Sequence, residues 1–479
     1  MCFIFGDVIQ IGPSVGVSKD RADVYDVKIL PNDISDSALN LLDASRFSYL
    51  AIVDAGSSVC RAHVYRYGKL GSLTGPLYVL PQHTSKKVKP GLSSFASNPN
   101  DAGESLEGLV EFLKTQVPES YWSKTPIWLK ATAGLRMLAL DKKDKSDAIL
   151  KSVAKFLSDK SKCPFFFRYS WAKIISGNEE AGFGWIAYNY LKKIIGPKKS
   201  MSQKPYVVVE MGGASSQVSQ LAPPSYASLI PKDYKFSFDI EGEEYTLYTY
   251  SYLGYGADAA RETVNKMLTN GGKESGSITD PCLFDGYKRD SKTERKDPYE
   301  GPLGSTVIGS AKKDVEQCSK NVAQLFNSNK GSCPSSGPHS FDCIYQPDFI
   351  TASENILVFE NFYYVTSALG FKSKTSTDTP FPLLTTPSEI TQGANEICQM
   401  ELDKVNDIYP KDSQPKDVNL KLCFASTYAS SFLTKGIGLK DNKLVTIQKE
   451  VDGNEIEWAL GAAYREASAF LKRTNLRGD

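Results

Sequence analysis

Two short stretches carry the residues best suited to chemistry. The first is Leu50-Ala51-Ile52-Val53-Asp54-Ala55-Gly56-Ser57-Ser58, resumed by Cys60-Arg61-Ala62-His63-Val64-Tyr65. The second is Tyr206-Val207-Val208-Val209-Glu210-Met211-Gly212-Gly213-Ala214-Ser215-Ser216-Gln217-Val218. Each is an apolar run ending in a carboxylate, a loop of small residues and a second apolar run, which reads as strand, tight turn, strand. Loops with little side-chain bulk let several backbone N–H groups face one phosphate. A carboxylate beside such a loop repels the anion unless a hydrated cation lies between them. Either stretch alone is equally an ordinary hairpin turn; the repetition of the device argues for two phosphate loops facing each other across a cleft.

Between the two loops lies Ile174-Ile175-Ser176-Gly177-Asn178-Glu179-Glu180-Ala181-Gly182-Phe183-Gly184-Trp185, a strand, a Ser-Gly turn and two acids opening a helix. Helix capping alone would explain both acids. As chemistry, the set suits phosphoanhydride hydrolysis, which rests on positioning, charge neutralisation and an oriented water. Glu180 would accept the water's proton, and Ser215 and Gln217 would hold that water. Asp54 and Glu210 would anchor a hydrated Ca²⁺ or Mg²⁺, and amides around Ser57, Ser58, Gly213 and Ala214 would cradle phosphates. Histidine is a poor candidate for the base: only His63, His83 and His339 are present, none within the small-residue loops. No GxxxxGK[ST] loop occurs, which argues against the usual nucleoside-triphosphatase loop.

The elements that must position these groups follow from periodicity. Helical spacing runs through Leu106, Leu109, Val110 and Leu113 and through Ile149, Val153 and Phe156, and Ile127–Ala131 reads as a buried strand ending near Thr132 and Arg136. Lys89–Phe95 is turn chemistry, and Glu457 to Leu471 is a helix expected to return to the first half. At 479 residues the chain is too long for one ordinary core. The expected organisation is a poorly packed leader over 1–45, a first domain of 46–176 plus 458–479, and a second of 177–457.

Apolar residues make up 41% and charged residues 23%, with net charge +1, so no electrostatic case exists for a nucleic-acid or membrane-surface partner. No apolar run is long enough to span a bilayer, and Met1–Asp7 makes a poor signal peptide. Six cysteines, Cys282, Cys318, Cys333, Cys343, Cys398 and Cys423, fall late in the chain without zinc spacing, which favours disulfides and an oxidising compartment. The absence of any Asn-x-Ser/Thr sequon weighs the other way.

DAGSSVCR, KATAGLR, ISGNEEAGFGW, VEMGGASSQV and EWALGAA resemble, in order, the five apyrase-conserved regions of the ecto-apyrase or nucleoside triphosphate diphosphohydrolase family. The resemblance runs from about Ser48 through KPGLSSF, DPCLFDGY, Phe362–Tyr364 and KLCFASTY, and is nearest to the shorter soluble apyrases. It implies an α/β fold of two actin-like, ribonuclease-H-like domains with the active site in the cleft between them. It also implies a monomeric, secretory-pathway or extracellular hydrolase acting on terminal phosphates of nucleoside tri- and diphosphates with Ca²⁺ or Mg²⁺.

Carried over, the resemblance makes Glu180 the base and Ser215 and Gln217 the water holders, with Thr132 and Arg136 near the reacting phosphate. Ala55, Gly56, Ser57, Ser58, Arg61, Gly212, Gly213 and Ala214 would bind phosphates. Asp54, Glu210 and Trp458 would hold the metal through water. Tyr364 would lie against the nucleobase, where Asp285 replaces a frequent arginine. Trp458 equally fits a core aromatic, and Tyr364 fits sheet packing. Glu210 departs from the family's usual aspartate by one methylene. Cys282–Cys318, Cys333–Cys343 and Cys398–Cys423 are the implied pairs. Two rival readings are an exopolyphosphatase, which ISGNEEA resembles as well, and a nucleotide- or glycan-binding protein on an impaired apyrase scaffold.

Overall fold

The computed structural model describes residues 47–475 apart from 70–74, 198, 201, 241, 272–275, 292–303, 327–339, 372–381 and 409–417. The expected leader over 1–45, His339 and Cys333 of the expected Cys333–Cys343 pair lie outside the described residues.

The first sheet is built from β1 (Ser48–Ala55), β2 (Cys60–Lys69), β3 (Leu77–Val88), β4 (Ile127–Ala131) and β5 (Ala172–Ile174), in the order β3-β2-β1-β4-β5. The first three form an antiparallel meander, and β4 and β5 add in parallel after helical crossovers. Those crossovers are α1 (Glu107–Gln116), then α2 (Ala133–Asp141) with α3 (Lys143–Ser158).

The second half repeats this plan. It uses α4 (Gly177–Leu191), β6 (Val207–Met211), β7 (Ser215–Leu221), β8 (Lys235–Ile240), β9 (Glu243–Leu253) and α5 (Ala257–Leu268). A small sheet of β10 (Ser277–Asp280), β11 (Lys288–Asp290) and β12 (Thr306–Gly309) follows, then α6 (Ala311–Gln324), β13 (Ile356–Glu360) and α7 (Asn361–Ala368). The chain continues through β14 (Leu383–Thr385), α8 (Pro387–Cys398), α9 (Val418–Ser431), β15 (Val445–Ile447), the ribbon β16 (Glu450–Val451) and β17 (Asn454–Glu455), and α10 (Trp458–Asn475). The main sheet runs β14-β15-β13-β6-β7-β9-β8. Its inner part, β9-β7-β6-β13-β15, has the connectivity of the first sheet, a meander followed by two parallel strands. Two such units are the ribonuclease-H-like halves of an actin-like fold.

Side-chain alternation explains the layering. On β1, Leu50 and Ile52 face the region between the sheets, whereas Ala51, Val53 and Ala55 face the outer helices with Leu109, Val110, Ile149 and Val153. On β6, Val208 faces inward, while Val207 and Val209 pack outward with Val264, Ile390 and Phe424. Helices α4 and α10 fill the middle layer and contact each other, α4 covering the second sheet and α10 the first. Hence α4 is buried continuously from Glu180 to Asn189, with no polar face. The two helices meet so closely at Gly461 that a Cβ there would lie 2.0 Å from the Phe183 carbonyl oxygen. The return of the terminal helix to the first sheet is thus a packing event between β1–β3 and α10.

Disulfides Cys282–Cys318 and Cys398–Cys423 join α6 to the loop after β10 and α8 to α9. Cys60 and Cys163 are buried free thiols. One alternative is corrected here: Phe362–Tyr364 does not pack in a sheet. The strand ends at Glu360, whose φ of +60° turns the chain into α7, so Tyr364 is a half-exposed helical residue.

Candidate active site

Both small-residue loops sit at the ends of central strands. Asp54 pairs with Arg61 across β1 and β2, and Glu210 with Gln217 across β6 and β7, so the two carboxylates occupy matching places in the repeated plan. The loops approach each other: a Cβ on Gly213 would lie 3.3 Å from Ser57 Oγ and 3.0 Å from Asp258 Oδ2. A Cβ on Gly134, in the first turn of α2, would lie 2.7 Å from Ser57 Cα.

Carbonyls in the second loop are bound from behind. Gly212 O accepts from Ala257 N at 2.9 Å, Gly213 O from Asp258 N and Ala259 N at 2.9 and 3.0 Å, and Ala214 O from Gly254 N at 2.9 Å. In a trans peptide the following N–H points opposite to its carbonyl. The N–H groups of Gly213 and Ala214 therefore face away from the start of α5, and that of Ser215 away from Gly254. In the first loop Ala55 O accepts from Thr132 N at 3.2 Å, which turns the Gly56 N–H away from β4 in the same manner.

A polar cluster lies between the loops. Arg136 Nη2 donates to Glu180 Oε2 at 2.6 Å and reaches Ser215 Oγ and Ser251 Oγ at 3.3 and 3.4 Å, while Nη1 donates to Ile175 O at 3.2 Å. Gln217 Nε2 donates to Ser215 Oγ at 2.6 Å and Ser251 Oγ at 2.9 Å, and lies 3.4 Å from Glu180 Oε2. Gln217 Oε1 is buried without a partner. The two acids at the start of α4 divide their tasks. Glu179 closes a capping box with Ser176 and binds Lys173 Nζ at 2.9 Å, whereas Glu180, one residue on, turns into the cluster. Thr132 is buried just before α2 and makes no side-chain capping bond.

The carboxylates carry the electrostatic signature of a cation site. Burial, opposed by Arg61 and reinforced by Glu180 and Glu360, pushes Asp54 up to about 7. Burial and the charges of Glu180, Glu360 and Asp54 push Glu210 well above the usual carboxylate range, against Arg136. Asp54 Oδ1 and Glu210 Oε2 are both buried with no hydrogen-bond partner. Buried charged oxygens left unpaired are costly unless a cation or its waters complete them. Among the described residues no group of three or more His, Cys, Asp or Glu side chains is placed to ligate a metal directly. The residues present therefore fit a hydrated divalent ion held through its waters.

The remaining expected residues are more scattered. Arg61 is ion-paired to Glu457, and His63 Nε2 lies 2.9 Å from the other oxygen of that glutamate. Trp458 opens α10, is 5% exposed and stacks on Phe183 with ring centroids 6.3 Å apart. Tyr364 lines a small pocket with Arg61, Glu360, Tyr363, Lys449 and Glu457. Asp285 accepts Lys312 N at 3.1 Å in the first turn of α6. Three participants escape sequence reading. Ser251 sits in an aromatic strand and joins the cluster only because β9 pairs it with Gln217; Glu360 ends a strand with no motif of its own, and Glu457 opens the EWALGAA motif, which assigns it no role.

Two ribonuclease-H-like halves with a carboxylate-bearing loop at each strand end define a phosphate-handling α/β protein. The family model of the GDA1/CD39 nucleoside phosphatases matches residues 40–478, and the chain belongs to that family. It is accordingly a nucleotide phosphohydrolase, and the family depends on a divalent cation. Relatives include the guanosine-diphosphatase of Schizosaccharomyces pombe, 29% identical over 87% of this chain and 73% of that protein. Ectonucleoside triphosphate diphosphohydrolase 5 of Ailuropoda melanoleuca is 29% identical over 87% of each chain. Ectonucleoside triphosphate diphosphohydrolase 1 of Bos taurus is 29% identical over 86% of this chain and 79% of that protein. The fold matches a nucleoside triphosphate hydrolase structure from Neospora caninum with TM-score 0.60, 16% identity, and 90% and 94% of the two chains covered.

Proposed function

We propose that the chain removes the terminal phosphate of nucleoside tri- or diphosphates by in-line attack of a water that Glu180 deprotonates. The observation that carries this reading is the Glu180–Arg136–Ser215–Gln217 cluster, closed at hydrogen-bond distances between two small-residue loops. The loop amides around Gly56–Ser58 and Gly212–Ala214 grip the phosphates from two sides. Ser215 Oγ and Gln217 orient the water, whose oxygen bonds to the terminal phosphorus as its proton passes to Glu180. The bridging P–O bond breaks, and the shortened nucleotide leaves with the electron pair. Thr132 and Arg136 bind the reacting phosphate, and Arg136 releases Glu180 as it does so. A divalent ion, when bound, neutralises phosphate charge. Asp54, Glu210 and Trp458 would hold it through its waters.

Tyr364 stacks on the nucleobase, and Asp285 bears on base choice. Arg61, already paired with Glu457, acts on the phosphates as a more distant charge. The chain works as a monomer, with domains of 46–176 plus 458–479 and of 177–457. Disulfides Cys282–Cys318 and Cys398–Cys423 and the ecto-enzyme relatives support an oxidising, secretory-pathway or extracellular setting. Among the described residues no helix is long and apolar enough to cross a membrane.

The test is phosphate release from ATP, ADP, GDP, UDP and long polyphosphate with Ca²⁺, Mg²⁺ or EDTA. Release from the nucleotides that EDTA abolishes is expected. Release from polyphosphate alone would overturn the nucleotide reading in favour of the exopolyphosphatase one, and binding without release would favour the binding-protein one.

A further inference from the structure

Each carbonyl of the second small-residue loop, from Met211 to Ser215, is held by a donor. Those of Gly212, Gly213, Ala214 and Ser215 are held by main-chain N–H groups, of Ala257, of Asp258 with Ala259, of Gly254 and of Gly212 in turn. The Met211 carbonyl accepts from a side chain: Asn361 Nδ2 donates to it at 2.7 Å. The peptide joining Met211 to Gly212 is thereby fixed at both ends, because its N–H donates to Ser215 O at 3.0 Å. In the chain it stands between the Glu210 carboxylate and the Gly213, Ala214 and Ser215 amides. The peptide is planar, so any rotation of it moves the carboxylate relative to the amides.

The fold brings that donor in by an unusual route. Strand β13 runs parallel to β6 as far as Glu360, which is aligned with Met211. There φ is +60° and ψ −119°, a conformation disfavoured for a residue with a β-carbon, and the strand ends. Asn361, the next residue, begins α7 and offers its side-chain amide to the last carbonyl of β6. Met211 is buried, and a buried carbonyl without a donor is costly, so the side chain does there what a longer strand would do. Helix capping does not account for Asn361, whose amide is directed at Met211 rather than at its own helix. Tyr364 lies three residues on, along the same face of α7, so this one bond also ties the helix bearing Tyr364 to the loop.

We propose that Asn361 is a positioning residue of the phosphate site, holding the Met211–Gly212 peptide so that Glu210 and the loop amides keep one fixed spacing. This rests on the hydrolysis proposed above and adds to it a residue that acts only through the loop.

The test follows Tm, kcat and KM of the full chain, with Ca²⁺ or Mg²⁺ and the nucleotide it hydrolyses, for wild type, Asn361→Ala and Asn361→Asp at pH 8 and pH 5. At pH 8 Asn361→Ala is expected to lose roughly tenfold in kcat/KM, most of it as a higher KM, and Asn361→Asp, which sets an acceptor against an acceptor, to lose more. At pH 5 the order of the two variants is expected to invert. A carboxylate facing a carbonyl has its pKa raised, and once protonated it is close in shape to asparagine and donates its O–H to Met211 O, whereas alanine donates nothing. Glu210 and Glu360, the acids that precede the two bonded residues, are common to both variants, so comparing the variants at each pH cancels their titration. A kcat/KM loss that follows a loss of folding, with no change of order between the two pH values, marks a merely structural asparagine and overturns the proposal. Wild-type kcat/KM in Asn361→Ala, or Asn361→Asp no better than Asn361→Ala at pH 5, would overturn it while leaving the hydrolysis reading intact. A wild-type chain that releases no phosphate from any nucleotide would overturn both.

Discussion

The Arg136 guanidinium holds the Glu180 carboxylate at 2.6 Å while its same nitrogen lies 3.3 Å from Ser215 Oγ. A terminal phosphate would give Arg136 a second anionic partner, so the proposed mechanism couples substrate binding to release of Glu180 from that pair. Glu180→Gln should lower kcat by roughly 10²–10⁴-fold with nucleotide binding largely kept. Arg136→Ala should raise KM as well as lower kcat, because it removes a phosphate ligand. Phosphate release and equilibrium nucleotide binding, measured on both variants, check the split; unchanged turnover in Glu180→Gln would remove that residue from the mechanism.

Ser251 ties together Gln217 and Arg136, the groups proposed to orient the water and bind phosphate, accepting from Gln217 Nε2 at 2.9 Å and facing Arg136 Nη2 at 3.4 Å. Ser251→Ala leaves the Gln217 amide one acceptor short, a loss of about 1 kcal/mol or roughly fivefold in rate. The effect should fall on kcat, with cation affinity unchanged. Equal kcat in the variant would show that Ser215 alone fixes Gln217.

Asp54 and Glu210 predict a pH dependence that reverses with metal. Both have folded pKa values raised by burial, Asp54 to about 7 from an unfolded value of 3.8. The folded state then binds more protons than the unfolded one between those values, so stability is fully present below about pH 4 and is lost as pH rises toward 7. His63, lowered to about 3 by burial, Arg61 and Lys87, acts in the opposite sense over part of that window. Its contribution is common to metal-free and metal-loaded protein, so the difference between the two isolates the carboxylates. Metal-induced Tm rise should therefore grow from pH 5 to pH 8, as measured by melting in EDTA and in excess Ca²⁺. A rise that is flat across that range would sink the assignment of the two carboxylates to the cation.

Much of this site is legible in the amino-acid sequence because it lies on short, continuous pieces of chain. Asp54–Ser58, Glu210–Gln217 and Ser176–Glu180 are each a strand end or helix start, where local patterning and turn chemistry dictate conformation. The division between Glu179 and Glu180 is not legible in that way, since capping allows either acid to be structural until the Ser176 box is seen to use Glu179. Ser251 depends on which residue β9 places beside Gln217, a matter of long-range register. Glu360 depends on a single left-handed φ at a position where the residue type argues against it. Tyr364 is ambiguous in sequence because a short aromatic run suits strand or helix, and that same turn decides the matter by sending it into α7.

Lys130 ties β4, the strand that leads into the Thr132–Arg136 turn, to the terminal helix α10. It is 1% exposed, and its Nζ donates to Glu466 Oε1 at 2.6 Å, a side chain 23% exposed. Burial holds the Lys130 pKa below the usual ammonium range, and Glu466 opposes that shift. The two ends of this pair are therefore not equivalent. Glu466→Ala strands a buried ammonium, an outcome that typically costs about 3–5 kcal/mol unless the lysine gives up its proton. Lys130→Met leaves a glutamate that reaches water and puts an apolar chain among Trp128, Phe183 and Ala463, so it should cost far less. Because the stranded lysine is relieved by deprotonation, Glu466→Ala should regain stability as pH rises from 7 to 9, and Lys130→Met should not. Thermal melts of both single variants and of the double variant across that range decide it, and equal destabilisation of the two single variants at pH 7 would show that the pair is solvated rather than buried.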